Sequence, residues 1–450
     1  MAETAQDKIP NRWIRVVGAI LMQLALGCIY AWSIFNKPLA HYLELAPKSP
    51  EVLAIFAVSL AGFGLFVSVG GMLQDRRGPR QIGILAGVIY AVGYVLSSMF
   101  YDNLGLMYVS YALLGAGVGI GYSCPLSCCV KWFPDKRGLI AGIAVAGFGA
   151  GTFIFAQVGT WLVGSSTGAT PYANLGDAYL YLGLIFLAMV IAGSMLLCDP
   201  PTNFCPAGWT PPQQGAGSTA KKQFKTREMV HSKVYWMIWA MYILSATCGL
   251  MMIGNVSNVA QNMEDIYAAA NPTTFHPLTE DVMVTTAANV ALMTGILALF
   301  NGAGRVIWGF ISDKVGRTRA MKMMFMTQTI ILFVAAAFIM SKPTNEMTQF
   351  VGVTVLVSLE GFCFGGNFAL FPPITAEYFG TKHYGSNYGV VFTAYAVGGV
   401  TGAMMPAYIK GGFEWVFIGT AVMSLVAFVI ALMTKPPVVD EQPQEKPSAA

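Results

Sequence analysis

The sequence predicts an all-α membrane protein in which twelve transmembrane helices form two six-helix bundles related by an internal repeat. Three observations support this prediction: an apolar composition, the regular recurrence of long apolar segments, and matching motifs in the two halves. Of the 450 residues, 55% are hydrophobic and 11% are charged, whereas a soluble domain carries about 25% charged residues. An apolar segment of about 20 residues is long enough to cross a bilayer as a helix.

Twelve such segments follow one another along the chain. Spans 1 to 6 are predicted at residues 13–35, 52–73, 82–101, 104–130, 139–163 and 179–197. Spans 7 to 12 are predicted at residues 234–259, 282–311, 321–340, 350–371, 389–407 and 413–433. The sequence therefore divides into an N-terminal bundle, a cytoplasmic linker rich in Pro and Gly, a C-terminal bundle and a disordered tail, at residues 1–198, 199–233, 234–434 and 435–450.

Basic residues predict the orientation of these spans. If both termini are cytoplasmic, 21 of the 26 lysines and arginines fall on the cytoplasmic side, and four fall in outer loops. Cytoplasmic loops of membrane proteins are enriched in Lys and Arg. We therefore expect a multi-pass protein of the cell inner (plasma) membrane with both termini in the cytoplasm. We also expect a monomer in the lipid bilayer, without a nucleic-acid partner.

The remaining basic residue, Arg305, lies inside span 8. It precedes Asp313 by eight residues, which places it about 12 Å from that end of the span. An arginine at such depth costs at least about 2.5–3.5 kcal/mol to insert, so it usually marks a functional site. A structural ion pair with another helix is the alternative interpretation. Val67 occupies the corresponding position in the first half, and the repeat itself therefore does not require the charge.

Other motifs do not support an enzyme. The alternating glycines at residues 115–121 lie within a span and follow no strand, so they do not form a dinucleotide loop. Cys124, Cys128 and Cys129 have no histidine partner in their pattern, and we interpret them as packing residues. We find no nucleophile–base pair or metal cluster, and expect neither a metal nor a cofactor.

The repeated motif Gly-x-x-x-Asp-(Arg/Lys)-x-Gly, at residues 71–78 and 309–316, resembles the signature of the major facilitator superfamily. Other stretches resemble its oxalate–formate antiporter family and the related monocarboxylate transporters. These are residues 11–13, 30–32, 115–122, 132–138 (Trp-Phe-Pro-Asp-Lys-Arg-Gly), 301–317 and 365–372. The resemblance implies the major facilitator fold and transport by alternating access around a site near the membrane midplane.

By the same resemblance, Arg305 binds a substrate carboxylate, for which the planar guanidinium offers a fork of donors. Aromatic side chains are expected to wall the substrate cavity: Tyr30, Trp32, Tyr122, Phe364 and Phe368. Each could instead serve only in packing. The repeated charges are expected to form a cytoplasmic gate, although a solvated turn would also explain them: Asp75, Arg76, Asp313 and Lys314.

One departure from the family bears on the substrate. Tyr395 in span 11 is a further expected substrate-binding residue. The oxalate carrier resembles this chain there but has a lysine at the position of Tyr395, and so offers two cations to two carboxylates. With a single buried cation, this sequence favours a monoanion, because a second unpaired carboxylate would cost several kcal/mol to desolvate.

Glu360 is a second charged residue inside a span. It precedes Phe364 by four residues and Phe368 by eight, and we therefore expect it on the same helical stripe. If that stripe faces the cavity, Glu360 pairs with Arg305 or carries a proton, because a carboxyl away from water favours its neutral form. A fixed structural partner is the alternative.

The sequence thus predicts a secondary transporter of a small monocarboxylate of the lactate, pyruvate, formate or acetate type, coupled to protons. Carboxylate exchange of the oxalate–formate type, without protons, is the alternative within the same class. A transporter-like membrane sensor is a more distant alternative, because neither the linker nor the tail is long enough for a sizeable signalling domain.

Overall fold

A computed structural model describes residues 11–133, 137–164, 171–201, 204, 206, 223–270, 286–380 and 383–437. Within these residues, twelve helices are long and apolar enough to cross a membrane, and no strand is present. The predicted all-α membrane fold is therefore confirmed.

The helices of the first half are Trp13–Tyr42, Pro50–Arg77, Pro79–Met99, Leu104–Trp132, Arg137–Val163 and Leu175–Leu196. Those of the second half are Lys233–Ala270, Ala287–Val315, Arg317–Met340, Glu346–Phe379, Tyr384–Tyr408 and Phe413–Met433. They are spans 1 to 12 in this order. A short helix, Thr226–Val230, precedes span 7.

Spans 1 and 7 are each interrupted near the middle. Span 1 tightens into a 3₁₀ segment at Gly27–Trp32, and span 7 departs from helical geometry at Asn255. Next to these interruptions, the hydroxyl of Ser33 donates a hydrogen bond to the carbonyl of Ile253 over 2.8 Å. Since Ser33 and Ile253 belong to different halves, the two interruptions lie where the halves meet. Neighbouring protein can satisfy irregular backbone there.

Spans 2 and 11 form a second contact between the halves, and this contact runs along both helices. Leu60 packs against Gly399 and Gly64 packs against Ala396. Nearer the predicted cytoplasmic end, the Ser68 hydroxyl donates to the carbonyl of Gly389 over 2.8 Å. Together with the Ser33 bond on the predicted outer side, these contacts enclose the centre of the molecule.

Several helices extend beyond their predicted ends. Span 10 was predicted to stop before Pro372, yet the helix continues through Pro372 and Pro373 to Phe379. Each proline removes one backbone hydrogen bond, and neighbouring helices can compensate for that loss inside a membrane protein. Gly380, with a φ of 88°, then ends the helix in a conformation that favours glycine.

Candidate functional site

Arg305 lies on span 8 at the centre of the molecule and is 7% exposed. Its Nε donates to Asn301 Oδ1 over 3.1 Å, one helical turn earlier. Its Nη1 donates to the hydroxyl of Tyr122 on span 4 over 3.1 Å. The side chain therefore extends from the C-terminal half to the N-terminal half.

Most of the guanidinium's hydrogen-bonding capacity is unused. A guanidinium has five N–H donors, and two of them make the bonds to Asn301 and Tyr122. The other three have no hydrogen-bond partner in the described part of the chain, and no carboxylate there forms an ion pair with Arg305. Three donors of a buried cation are thus available to an anion.

Aromatic rings cover the cation. The guanidinium carbon lies 4.0 Å from the ring centre of Phe368 and 5.6 Å from that of Phe148. Such cation–π contacts gain strength when water is excluded. Phe63 packs against both Tyr122 and Tyr395, with ring centres 5.3 and 5.1 Å apart, and it continues this aromatic enclosure.

Two tyrosines join the halves beside the cation. The hydroxyls of Tyr30 on span 1 and Tyr395 on span 11 are 2.7 Å apart and share a hydrogen bond. Tyr30 also packs against Phe148 and Phe364, with ring centres 5.1 and 6.2 Å apart. A hydroxyl pair of this kind can rearrange to donate to or accept from a bound molecule.

The structure therefore brings most of the predicted site residues together, with one exception among the aromatics. Trp32 stacks on Phe56 and packs against Tyr111, and no ring or cation–π contact joins it to Arg305 in the described residues. The sequence interpretation missed Asn301, Phe148 and Phe63. For Asn301 the spacing of one helical turn from Arg305 was an available signal.

Glu360 contacts a residue of its own half rather than Arg305. Its Oε1 accepts a hydrogen bond from Gln328 on span 9 over 2.6 Å, and no bond to Arg305 is formed. Positions four and eight residues apart drift around a straight helix by about 40° and 80°. That drift turns Glu360 away from Phe368 and into the interior of the C-terminal half.

The predicted gate charges are partly described. Asp313 pairs with Arg317 over 2.6 Å, and Arg317 also pairs with Glu377 over 3.0 Å. Lys314 lies 4.3 Å from the ring centre of Phe310, and Arg76 is exposed. The side chain of Asp75 lies outside the described residues. The described pairs lie within the C-terminal half, and the gate role stays a prediction.

The three clustered cysteines are buried. Cys128 Sγ lies 3.1 Å from the carbonyl oxygen of Cys198, and the other two thiols face the carbonyls of Ile120 and Arg15. Within the described residues, no group of three or more His, Cys, Asp or Glu side chains could hold a metal ion.

Comparison with known proteins shows the family. The family model described as Major Facilitator Superfamily matches residues 16–270 and 266–450, and the chain belongs to that family. A bacterial homolog of the human lysosomal transporter Spinster, solved in an inward-facing and unoccupied conformation, has the same fold. It matches with a TM-score of 0.64 and 13% identity over 95% of this chain and 97% of that one.

Several relatives in sequence are named as transporters. The chain is 29% identical to the oxalate:formate antiporter of Oxalobacter formigenes, over 95% of this chain and 92% of that protein. It is also 29% identical to the uncharacterized MFS-type transporter YhjX of Escherichia coli, over 87% and 86% of the two chains. Apicoplast pyruvate carrier 1 of Toxoplasma gondii is 23% identical, over 87% and 82%. The fold and relatives are thus those of membrane transporters rather than enzymes.

Proposed function

We propose that this protein is a secondary transporter of a small monocarboxylate, coupled to protons and working by alternating access. The observation that carries the proposal is the buried guanidinium of Arg305, whose three remaining N–H donors have no partner among the described residues. A carboxylate can occupy two such donors at once. The site between the halves is where a major facilitator transporter binds its substrate.

The size and polarity of the surroundings favour a small anion with one carboxylate. Phe368 and Phe148 face the guanidinium, and Tyr395 is neutral. A second carboxylate would have to be buried among these rings without a cation of its own, at a cost of several kcal/mol. The relative named as an apicoplast pyruvate carrier supports the same class of substrate.

Counterflow in proteoliposomes tests this function. The purified chain is reconstituted into vesicles preloaded with one unlabelled acid, and entry of labelled lactate, pyruvate, formate, acetate and oxalate is compared. We expect at least one of the monocarboxylates to enter faster than oxalate. Entry of oxalate alone, or of no acid in the panel, would contradict the proposal.

Exchange without protons is the second candidate function. It is favoured by the separation of Glu360 from Arg305 and by the relative named as an oxalate:formate antiporter. The two candidates differ in their effect on vesicle pH. Adding lactate outside empty vesicles acidifies the lumen if a proton enters with each anion, whereas strict exchange leaves the internal pH unchanged.

A further inference from the structure

A second polar cluster lies inside the C-terminal half, apart from Arg305. It draws on spans 7, 9, 10 and 12, and each of its members is fully buried: Ser245, Gln328, Glu360, Asn367 and Ser424. Glu360 is its one carboxyl group. Buried polar groups in a membrane interior are costly and often functional, and the substrate site uses none of these five.

Gln328 organises the cluster. Its side-chain oxygen lies 3.0 Å from the Ser245 hydroxyl and 3.1 Å from the Ser424 hydroxyl. Because hydroxyls can donate to that oxygen, the amide nitrogen is directed the other way, where it donates to Glu360 Oε1 over 2.6 Å. The position of the amide is therefore fixed from three sides.

The environment of Glu360 favours a neutral acid. A carboxylate can accept about four hydrogen bonds, but Oε2 has no partner in the part of the chain that the structure describes. Among the titratable groups of the described residues, the thiols of Cys248 on span 7 and Cys363 on span 10 interact electrostatically with Glu360. Spans 9 and 12 present the uncharged Gln328 and Ser424. An ionised carboxylate with one neutral donor is costly to bury, whereas a neutral carboxylic acid costs much less.

The internal repeat provides a comparison. The offset that aligns Gly115 with Gly361 aligns Leu114 with Glu360. Leu114 is buried at this position in the first half. The architecture of the repeat therefore does not require an acid there.

We propose that this cluster is a proton-binding site separate from the substrate site, and that Gln328 is the positioning residue that sets its affinity. The coupling role of the cluster rests on the proposed function above. In the enclosed conformation described here, one oxygen of Glu360 carries a proton. Binding this proton forms one O–H bond and breaks no bond within the protein. Ionisation requires the cluster to open, because the amide alone does not satisfy the anion.

Span 10 connects this site to the substrate site. Asn367 Oδ1 lies 2.9 Å from the Ser245 hydroxyl, and the next residue, Phe368, lies 4.0 Å from the Arg305 guanidinium. When the proton leaves, a rearrangement of the cluster would displace Phe368. The aromatic enclosure around Arg305 and its bound anion would then change. Coupling thus needs no direct contact between Glu360 and the substrate.

Infrared spectroscopy tests the protonated state without relying on transport. Spectra of the full-length protein in vesicles near neutral pH should contain a carboxylic-acid carbonyl band that Glu360→Gln removes. Identical spectra in that band would show that Glu360 is ionised and would overturn the proposal. If wild-type vesicles move no monocarboxylate, the proposed function fails, but this result still decides the state of Glu360.

Transport measurements test the coupling. Glu360→Gln should abolish uptake driven by an imposed proton gradient while counterflow continues; equal loss of both would overturn the coupling role. Gln328→Met removes a donor that favours the anion, so the pH midpoint of proton-driven uptake should move upward by roughly one to two units. An unchanged midpoint would contradict a role for Gln328.

Gln349→Met is the matched control for Gln328→Met. Gln349 is a fully buried glutamine on span 10 that donates to the carbonyl of Pro343 over 2.7 Å. Loss of this amide should leave the pH midpoint of proton-driven uptake unchanged from the wild type. An equal shift in the control would show that the effect is a general one of losing a buried amide.

Discussion

Two of the five N–H donors of Arg305 are bonded, and the other three have no partner among the described residues. Asn301 and Tyr122 hold two of its donors, and Phe368 lies against the face of the guanidinium. Ordering a long side chain in this way before the ligand arrives reduces the entropy that binding must offset. The neighbours of the arginine therefore contribute to affinity even where they do not touch the substrate.

Replacing Asn301 by Ala should weaken monocarboxylate binding roughly tenfold, because Nε loses an acceptor whose bond to a charged donor contributes about 1.5 kcal/mol or more. Affinity can be measured by the concentration dependence of counterflow. Thr294→Val is the control on the same span, since the Thr294 hydroxyl bonds only to the carbonyl of its own helix at Val290. Wild-type affinity in Asn301→Ala would show that Asn301 does not position the guanidinium.

Tyr395→Lys should shift selectivity toward oxalate, because it adds a second cation beside the site. We expect the ratio of oxalate to lactate counterflow to rise about tenfold or more, in line with a gain of roughly 1.4 kcal/mol or more from a charge-assisted bond. Tyr395→Phe, which removes only the hydroxyl, should not raise this ratio. An unchanged ratio in the lysine variant would argue against charge number as the basis of selectivity.

At this scale the sequence predicted the burial of Arg305, and two of the expected aromatic residues, Tyr122 and Phe368, contact it. Trp32 and Glu360 contact other groups instead. Burial of Arg305 follows from its distance to the charged end of span 8, which a sequence shows directly. The surroundings of Trp32 and Glu360 depend on how each helix is rotated about its axis. This rotation is set by packing between helices. Residues eight positions apart differ in direction by about 80° around the helix axis, so a stripe of that length does not fix which way each side chain points.

Helix spacing is controlled by small residues at the contacts between halves. A methyl group added at Gly149 on span 5 would collide with the carbonyl oxygen of Ala298 on span 8. Close approach of membrane helices commonly depends on such residues. The enclosed conformation therefore requires glycine at this position.

Gly149→Ala should sharply reduce counterflow, because the cycle can no longer pass through the enclosed conformation, while the protein still inserts and folds. Rates in vesicles and a thermal melting profile provide the two measurements. Gly71→Ala on span 2 is the matched control, since nothing lies within 4 Å of a methyl group there. Full transport by Gly149→Ala would indicate that spans 5 and 8 need not approach so closely.

The sequence predicted the number of spans but not the interruptions in spans 1 and 7. Apolar composition indicates whether a segment can cross the membrane, but it does not indicate whether the helix is continuous or interrupted. Asn255 stabilises its own interruption by donating to the carbonyls of Met251 and Ala403, over 3.0 and 3.4 Å. Ala403 lies on span 11, and the sequence around Asn255 does not show that span 11 is its neighbour.

The orientation of the whole molecule rests on the distribution of basic residues. With cytoplasmic termini, Lys342 lies outside and Arg319 inside, and both side chains are exposed. A membrane-impermeant maleimide applied to intact cells should label Lys342→Cys but not Arg319→Cys, with the unsubstituted chain measuring the background from native cysteines. The opposite labelling pattern would reverse the predicted orientation.

The fold of the molecule was predictable because the repeat, the span count and the Gly-x-x-x-Asp-(Arg/Lys)-x-Gly motif all indicate the same architecture. Which substrate it carries was less predictable. Substrate identity depends on the few groups around Arg305, and two rings of its aromatic enclosure, Phe63 and Phe148, carry no sequence signal that distinguishes them from packing residues.

Binding of a labelled monocarboxylate to the purified protein, compared between wild type and Arg305→Lys, tests the central claim most directly. A lysine retains the charge but not the planar fork, so the predicted dissociation constant rises roughly 30-fold, equivalent to about 2 kcal/mol. Arg15→Lys, whose arginine donates to the Leu196 carbonyl over 2.5 Å, should bind as the wild type does. Equal binding by wild type and Arg305→Lys would contradict the assignment of Arg305 as the carboxylate-binding residue.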